Sequence, residues 1–141
     1  MPDRGEKAVA EAREWIGTPV VWEASLKGIG CDCRGLVAGV ARELGWPEGS
    51  AFEAGIVGYS RRIDGEQLVA GLDRLFDRVE KPEPGDILAF RIWKTVQHLA
   101  IHNGERMIHA YLGEPAQVVS VPIDHHWQKR LAGIWRWRDG S

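Results

Sequence analysis

Apolar residues recur at helical spacing in three stretches of this chain and alternate with polar residues in several others. Val9, Ala12, Trp15 and Ile16 mark one face of a helix over Asp3 to Trp15. Leu36, Val37, Val40, Ala41 and Leu44 mark a second over Arg34 to Leu44, which Trp46-Pro47 is expected to end, since a residue before proline is pushed out of the α region. Leu68, Val69, Leu72 and Leu75 mark a third over Gly65 to Phe76. Pro19 to Gly30 reads as a loop, and Gly49 to Gly58 as irregular. Strands follow near Asp86–Phe90, Val96–His102, Arg106–Leu112, Val118–Pro122 and Gly133–Arg138, the last with Trp135 and Trp137 alternating with Arg136 and Arg138. Helices first and a meander of strands afterwards predict an α+β domain with an antiparallel sheet.

Two of these strands form a hairpin that can be read in register. Asn103-Gly104 between alternating runs is a strong two-residue turn signal, because both turn positions take φ > 0. In that register His98 lies directly opposite His109, with Cβ atoms about 4.5–5.5 Å apart. Leu99, Ile101 and Ile108 then point to the other face and cover a core. A loop shifted to Gly104-Glu105 puts His98 diagonal to His109, still on one face. With Asn103-Gly104 as the turn, His102 falls opposite Glu105 at the tip, a solvated ion pair of little weight.

Cys33 opens the second helix, with Asp32 as a good N-cap residue. A cysteine in a first helical turn feels the positive end of the macrodipole and the free N–H groups, which favour thiolate and can stabilise an oxyanion. A free cysteine is commonly just a small buried hydrophobe. The histidine pair favours the nucleophile reading, because cysteine, histidine and a second polar orienting group make up the working set of a thiol hydrolase. The helix carrying Cys33 must then pack on the sheet so that Cys33 meets His98.

At 141 residues the chain has the size of one domain, 1–141, large enough to bury a core. A net charge of −2 supplies no basic field for nucleic acid. Its two cysteines, Cys31 and Cys33, are separated by one residue, too close for an unstrained disulfide, which fits synthesis in a reducing compartment. Met1 to Ala10 is charged and lacks the apolar run of a signal peptide, and no stretch is long enough to span a membrane, so cytoplasmic synthesis is expected. A zinc site from Cys31, Cys33, His98, His102 and His109 is the competing reading. Cys-x-Cys directs both thiols poorly at one tetrahedral metal, so no metal is assigned. His125-His126 before Trp127 reads as a surface turn without chemistry. Trp22 and Trp93 stand beside the motifs, where core packing and a substrate groove are both open readings.

Four segments together resemble the NlpC/P60 family of papain-like cysteine peptidases, in that family's order. They are Ala12-Arg13-Glu14-Trp15-Ile16-Gly17-Thr18-Pro19, Asp32-Cys33-Arg34-Gly35-Leu36, Pro84-Gly85-Asp86-Ile87-Leu88-Ala89-Phe90, and the pair His98-Leu99-Ala100-Ile101 and Met107-Ile108-His109-Ala110. The Gly-Cys-Asp-Cys spelling and compact length look most like the subgroup encoded with phage tails and gene transfer agents. The resemblance implies a papain-like fold whose nucleophile helix packs on an antiparallel sheet. It implies a Cys33, His98, His109 triad with no cofactor, acting on peptidoglycan stem peptides at a γ-D-glutamyl-diaminopimelate-type amide. Asp32, Arg34, Val20 and Trp22 are the residues expected to meet substrate. Two positions depart from the family pattern. Val20 stands where a tyrosine is usual, and Arg34 stands where a serine is usual. A guanidinium only donates hydrogen bonds, so Arg34 suits a substrate carboxylate. The competing functions are a tail-tip or wall-binding module with little turnover, and an amidase or acyltransferase on another substrate, since a triad does not choose its substrate. Acting on a wall without an export signal implies carriage in a phage-like particle or release by lysis.

Overall fold

The computed structural model describes residues 3–52 and 65–138. Helix α1 spans Arg4–Arg13, capped by the Asp3 carboxylate on the Glu6 N–H at 2.8 Å. A short hairpin follows, β1 at Ser25–Leu26 and β2 at Gly30–Cys31, inside the segment read from sequence as a loop. Helix α2 spans Cys33–Glu43 and α3 Pro47–Phe52. Proline thus opens α3, and the turn out of α2 is made by Gly45, whose φ of 74° suits a residue without Cβ. Residues 53–58 of the expected irregular stretch lie outside the described residues. Helix α4 spans Gly65–Leu75. The remaining elements are β3 at Asp77–Val79, β4 at Ile87–Ile92, β5 at Thr95–Asn103, β6 at Arg106–Tyr111, β7 at Gln117–Pro122, α5 at His125–Gln128 and β8 at Leu131–Arg136.

Strands β3 to β8 form one antiparallel sheet in the order β3-β8-β4-β5-β6-β7. Alternation sorts its side chains between two apolar layers. Ile87, Ala89, Leu99, Ile101, Ile108 and Ala110 join Leu36, Val37 and Val40 of α2 in the larger one. Leu88, Phe90, Ala100, Met107 and Ile134 form the other, closed by Val121, Ile123, Trp127 and Leu131. The architecture is therefore the expected α+β arrangement, with the Cys33 helix lying on an antiparallel sheet. Among the described residues no helix is long and apolar enough to cross a membrane.

Two glycines explain two of the sequence motifs. A Cβ on Gly35 would lie 1.9 Å from the Ala24 carbonyl oxygen, so the first turn of α2 can touch the β1 loop only without a side chain there. Gly85, at φ 96°, lies so close to Gly5 that a Cβ would stand 2.3 Å from the Gly5 carbonyl oxygen, which seats α1 on the strand entry. Beside it Asp86 is buried and accepts from Arg136 Nε and Nη2 at 3.0 and 2.9 Å, anchoring β8 to the start of β4.

Candidate active site

Asp32 builds the corner from which Cys33 projects. Its Oδ1 accepts from the Gly35 N–H at 2.7 Å, the N-cap bond expected from sequence, and its Oδ2 accepts from the Glu23 N–H at 2.8 Å. Glu23 sits at φ 63°, so the second bond holds a backbone conformation that non-glycine residues rarely take. Arg34 Nη2 lies 3.6 Å from Asp32 Oδ2, both side chains almost fully buried. The carboxylate is thus engaged by two backbone N–H groups and a guanidinium.

The pairing of β5 and β6 creates the notch that receives Cys33. Ladder partners run Asn103↔Arg106, His102↔Met107 and Ile101↔Ile108, and the pairing stops there although both strands continue. The Gln97 carbonyl and Leu99 N–H that would face β6 are met by Cys33 instead. Its Sγ donates to the Gln97 carbonyl at 3.7 Å and the Leu99 N–H bonds back to it. The sulfur therefore sits against the backbone on both sides of His98.

This register corrects the directly opposed histidine pair. The turn is Gly104-Glu105, and positive φ occurs at Gly104 (70°) but not at Asn103, the pattern of a turn with glycine in its first central position. His98 and His109 are diagonal neighbours, and they do meet. His98 Nε2 lies 2.8 Å from His109 Nδ1, with ring centroids 5.0 Å apart. His102 pairs with Met107 rather than Glu105, and its ring is buried against the second apolar layer, so the exposed ion pair expected for it does not form.

One cleft of about 390 Å³ collects every residue expected at the site: Val20, Trp22, Asp32, Cys33, Arg34, His98 and His109. Val20 is brought there by a bridge to Cys31 and by its N–H on the Ala116 carbonyl at 3.0 Å. Sequence reasoning missed others that line the cleft, among them Gln97, Tyr111 and Trp127. Tyr111 was legible as two residues beyond His109 on one strand face. Trp127 was legible only as the third residue after a capping aspartate, Asp124, whose Oδ1 accepts its N–H at 3.0 Å. His125 and His126 are exposed, as expected, but belong to the short helix α5. Cys31 is fully buried in β2 and His102 lines a different cavity with Leu88 and Phe90, so the five residues weighed as a zinc site are not gathered in one place. Among the described residues no group of three or more His, Cys, Asp or Glu side chains is placed to hold a metal ion.

Electrostatics reverse one expectation. Burial, reinforced by the Asp32 charge, pushes the Cys33 thiol up to about 11, against the smaller pull of the Leu99 N–H and Arg34. Desolvation is the largest cause, and its direction favours the thiol form of Cys33. Burial holds His98 and His109 well below the ordinary imidazole range, and His109 adds to the shift by opposing a charge on His98. The site at neutral pH is a thiol beside two neutral imidazoles. Cys31 is pushed up further, to about 12, by burial, then by Asp32 and Cys33. Iodoacetamide is therefore expected to label Cys33 ahead of Cys31, with a rate that climbs about tenfold per pH unit from pH 7 to 9. Mass mapping with a pH series checks both points. A rate already level across that range would mean a preformed thiolate.

No protein-family model matches the sequence, and no curated protein matches it. Solved structures do. The NlpC/P60 domain of the peptidoglycan hydrolase SagA shares 25% identity over 94% of this chain and 97% of that one, with a TM-score of 0.63. An NlpC/P60 family protein from Bacillus cereus shares 21% identity at a TM-score of 0.65, covering 96% of this chain but 41% of its own. The peptidoglycan hydrolase RipB from Mycobacterium tuberculosis shares 18% identity at a TM-score of 0.60, over 94% of this chain and 64% of its own. The chain thus spans about two fifths of the Bacillus cereus protein and just under two thirds of RipB. Together with the cleft at the α2 N-terminus, these likenesses establish that the chain has the fold of the NlpC/P60 family.

Proposed function

We propose that this chain is a thiol hydrolase that cleaves an amide bond in peptidoglycan stem peptides, with Cys33 as nucleophile, His98 as acid–base and His109 as its orienter. The observation that carries the reading is the His98 Nε2 to His109 Nδ1 contact of 2.8 Å in the cleft where Cys33 Sγ lies on the backbone flanking His98. SagA and RipB, which share the fold, are described as peptidoglycan hydrolases. His109 occupies Nε2 of His98, which leaves Nδ1 to take the Cys33 proton. That requires His98 to donate from Nε2 to His109 Nδ1, and His109 to carry its own proton on Nε2. The thiolate formed on proton transfer attacks the carbonyl carbon, and the Cys33 N–H, in the first turn of α2, faces the developing oxyanion. The His98 imidazolium protonates the leaving amine, and water then hydrolyses the thioester. With thiol and imidazole both neutral at rest, the proton moves only as the substrate is attacked.

Resemblance points to a γ-D-glutamyl-diaminopimelate-type bond. Arg34, buried 3.6 Å from Asp32, supplies donors for a carboxylate beside that bond. The subgroup resemblance adds carriage in a phage-like or gene-transfer-agent particle. The reading as a wall-binding module with little turnover draws on one observation: the Cys33 thiol is hydrogen-bonded to the Gln97 carbonyl and is pushed up to about 11. Incubation with purified peptidoglycan separates the two. Hydrolysis releases soluble muropeptides whose masses identify the bond cut. Binding to walls of several stem-peptide chemistries with no fragment released would establish the module instead.

A further inference from the structure

Trp127 is held by a capped turn that carries it over the outer face of the sheet. In addition to the Asp124 cap, Gln128 Nε2 donates to the Ile123 carbonyl at 2.9 Å and the Arg130 N–H bonds the Trp127 carbonyl at 2.9 Å. These bonds fix the link between β7 and β8 with its indole turned inward. The indole meets three rings. It lies nearly parallel to His98, at 26° and 5.4 Å between centroids. It stands edge-on to His109, at 79° and 5.3 Å. It packs T-shaped on Phe90 at 5.0 Å, and Phe90 reaches His98 at 6.2 Å.

An imidazole held by one hydrogen bond can still swing about its last side-chain torsion. A flat ring stacked on its face removes that freedom, and a ring covering both partners of a hydrogen bond keeps water from competing for it. We propose that Trp127 is a positioning residue for the candidate acid–base pair: it clamps the His98 ring so that Nδ1 faces Cys33, and it shields the His98–His109 hydrogen bond from solvent. The proposal rests on the roles given to Cys33, His98 and His109 above. It assigns chemistry to a segment whose exposed histidines carry none.

The alternative is that Trp127 only fills the second apolar layer. The two differ in what they predict for the imidazoles. The titratable and charged groups around His98 are Asp32, Cys33 and Arg34 at the start of α2 and His109 and Tyr111 on β6. His126 touches the far edge of Trp127 at 6.3 Å, is exposed, and contacts Arg130. None of these is removed by changing Trp127, so a shift of the His98 titration reports solvent entry alone. Burial holds His98 low, and opening its face must raise it toward the ordinary imidazole value.

The test is imidazole ¹⁵N NMR of the whole chain across about pH 3 to 8, with Trp127→Ala, Trp127→Leu and Trp127→Phe. The clamp predicts that Trp127→Ala raises the His98 midpoint by about one pH unit or more and abolishes the through-hydrogen-bond coupling between the two rings. Trp127→Leu, which keeps apolar bulk but no ring face, should behave like alanine, and Trp127→Phe like the parent. Leucine matching the parent, or alanine leaving titration and coupling unchanged, overturns the proposal. Thermal melts identify a variant that is unfolded, and the leucine–phenylalanine pair then decides. On a cleavable substrate, alanine should lower kcat about tenfold or more with little change in KM, and phenylalanine should restore it. The NMR readout does not need turnover. A chain that hydrolyses nothing would remove the proposed function, while the spectra would still decide the clamp.

Discussion

Cys33→Ala is expected to reduce muropeptide release to background, while Cys31→Ala keeps most of it. The two thiols are one residue apart, and the fold separates them completely. Cys31 lies in β2 with no exposed surface, its carbonyl accepting from the Val21 N–H and its own N–H donating to the Pro19 carbonyl, both at 3.0 Å. Those bonds run through the backbone and survive side-chain truncation. What Cys31→Ala removes is one buried sulfur, a packing loss of about 1–2 kcal/mol that lowers the melting temperature and leaves the cleft intact. Cys33 is 9% exposed, opens on the cleft, and stands where α2 begins. No neighbouring group can replace it: Asp32 is engaged by the Gly35 and Glu23 N–H groups, and Arg34 cannot act as a nucleophile. Fragment release measured for both variants, with their melting temperatures, checks the assignment. Loss of release in a folded Cys31→Ala protein would mean that the wrong thiol has been named.

The parts of the site legible in the sequence are those with a local cause. Asp32 could be read as an N-cap because an aspartate before an apolar helical stripe has one strongly favoured use, and the structure gives it that bond. Gly35 and Gly85 could be read as motif glycines, but the reason for each is an approach by a distant segment, Ala24 in one case and Gly5 in the other. The hairpin shows a local rule losing to packing. Asn103-Gly104 favours a turn that would set Ile101 against Arg106. The observed turn, one residue later, sets Ile101 against Ile108, and both are fully buried beneath α2. Both registers keep these isoleucines on the core face, and the observed one sets them directly opposite each other. His102 follows the same shift, and its backbone is taken by Gly85 and Asp86, each at 2.8 Å. The protonation of Cys33 was misread for a related reason. The helix N-terminus is a local, sequence-readable effect, whereas desolvation, the largest cause of the shift, depends on how closely the rest of the fold covers the thiol. Strand β3 was invisible because Asp77-Arg78-Val79 is a short, largely exposed edge without alternation. Trp127 reaches the histidines only because the β7–β8 link folds across the sheet, and nothing in its own neighbourhood announces that.

The two histidines should respond unequally to substitution. In the proposed mechanism His98→Ala removes the group assigned both to accept the Cys33 proton and to protonate the leaving amine, and is expected to lower kcat by about 10²–10⁴-fold. The buried, high-lying thiol makes this dependence stronger, because there is no standing thiolate to act without a base. His109 touches His98 through one hydrogen bond and does not reach the reacting atoms, so its role can be filled by any acceptor at Nε2 of His98. An amide oxygen qualifies: His109→Gln and His109→Asn should retain measurable turnover, and His109→Ala less. Removing His109 also removes a neighbour that opposes the charge on His98, so in all three variants the acid limb of the pH profile should move upward. The sign follows from the shift: His98 is held low in part by His109, activity needs the neutral ring, and relieving that pressure lets protonation compete at higher pH. The kcat profiles of the four variants between about pH 4 and 9 decide the matter. His109→Gln as inactive as His98→Ala would make His109 a proton carrier rather than an orienter, and an acid limb moving downward would mean that its ring stabilises the imidazolium instead of opposing it.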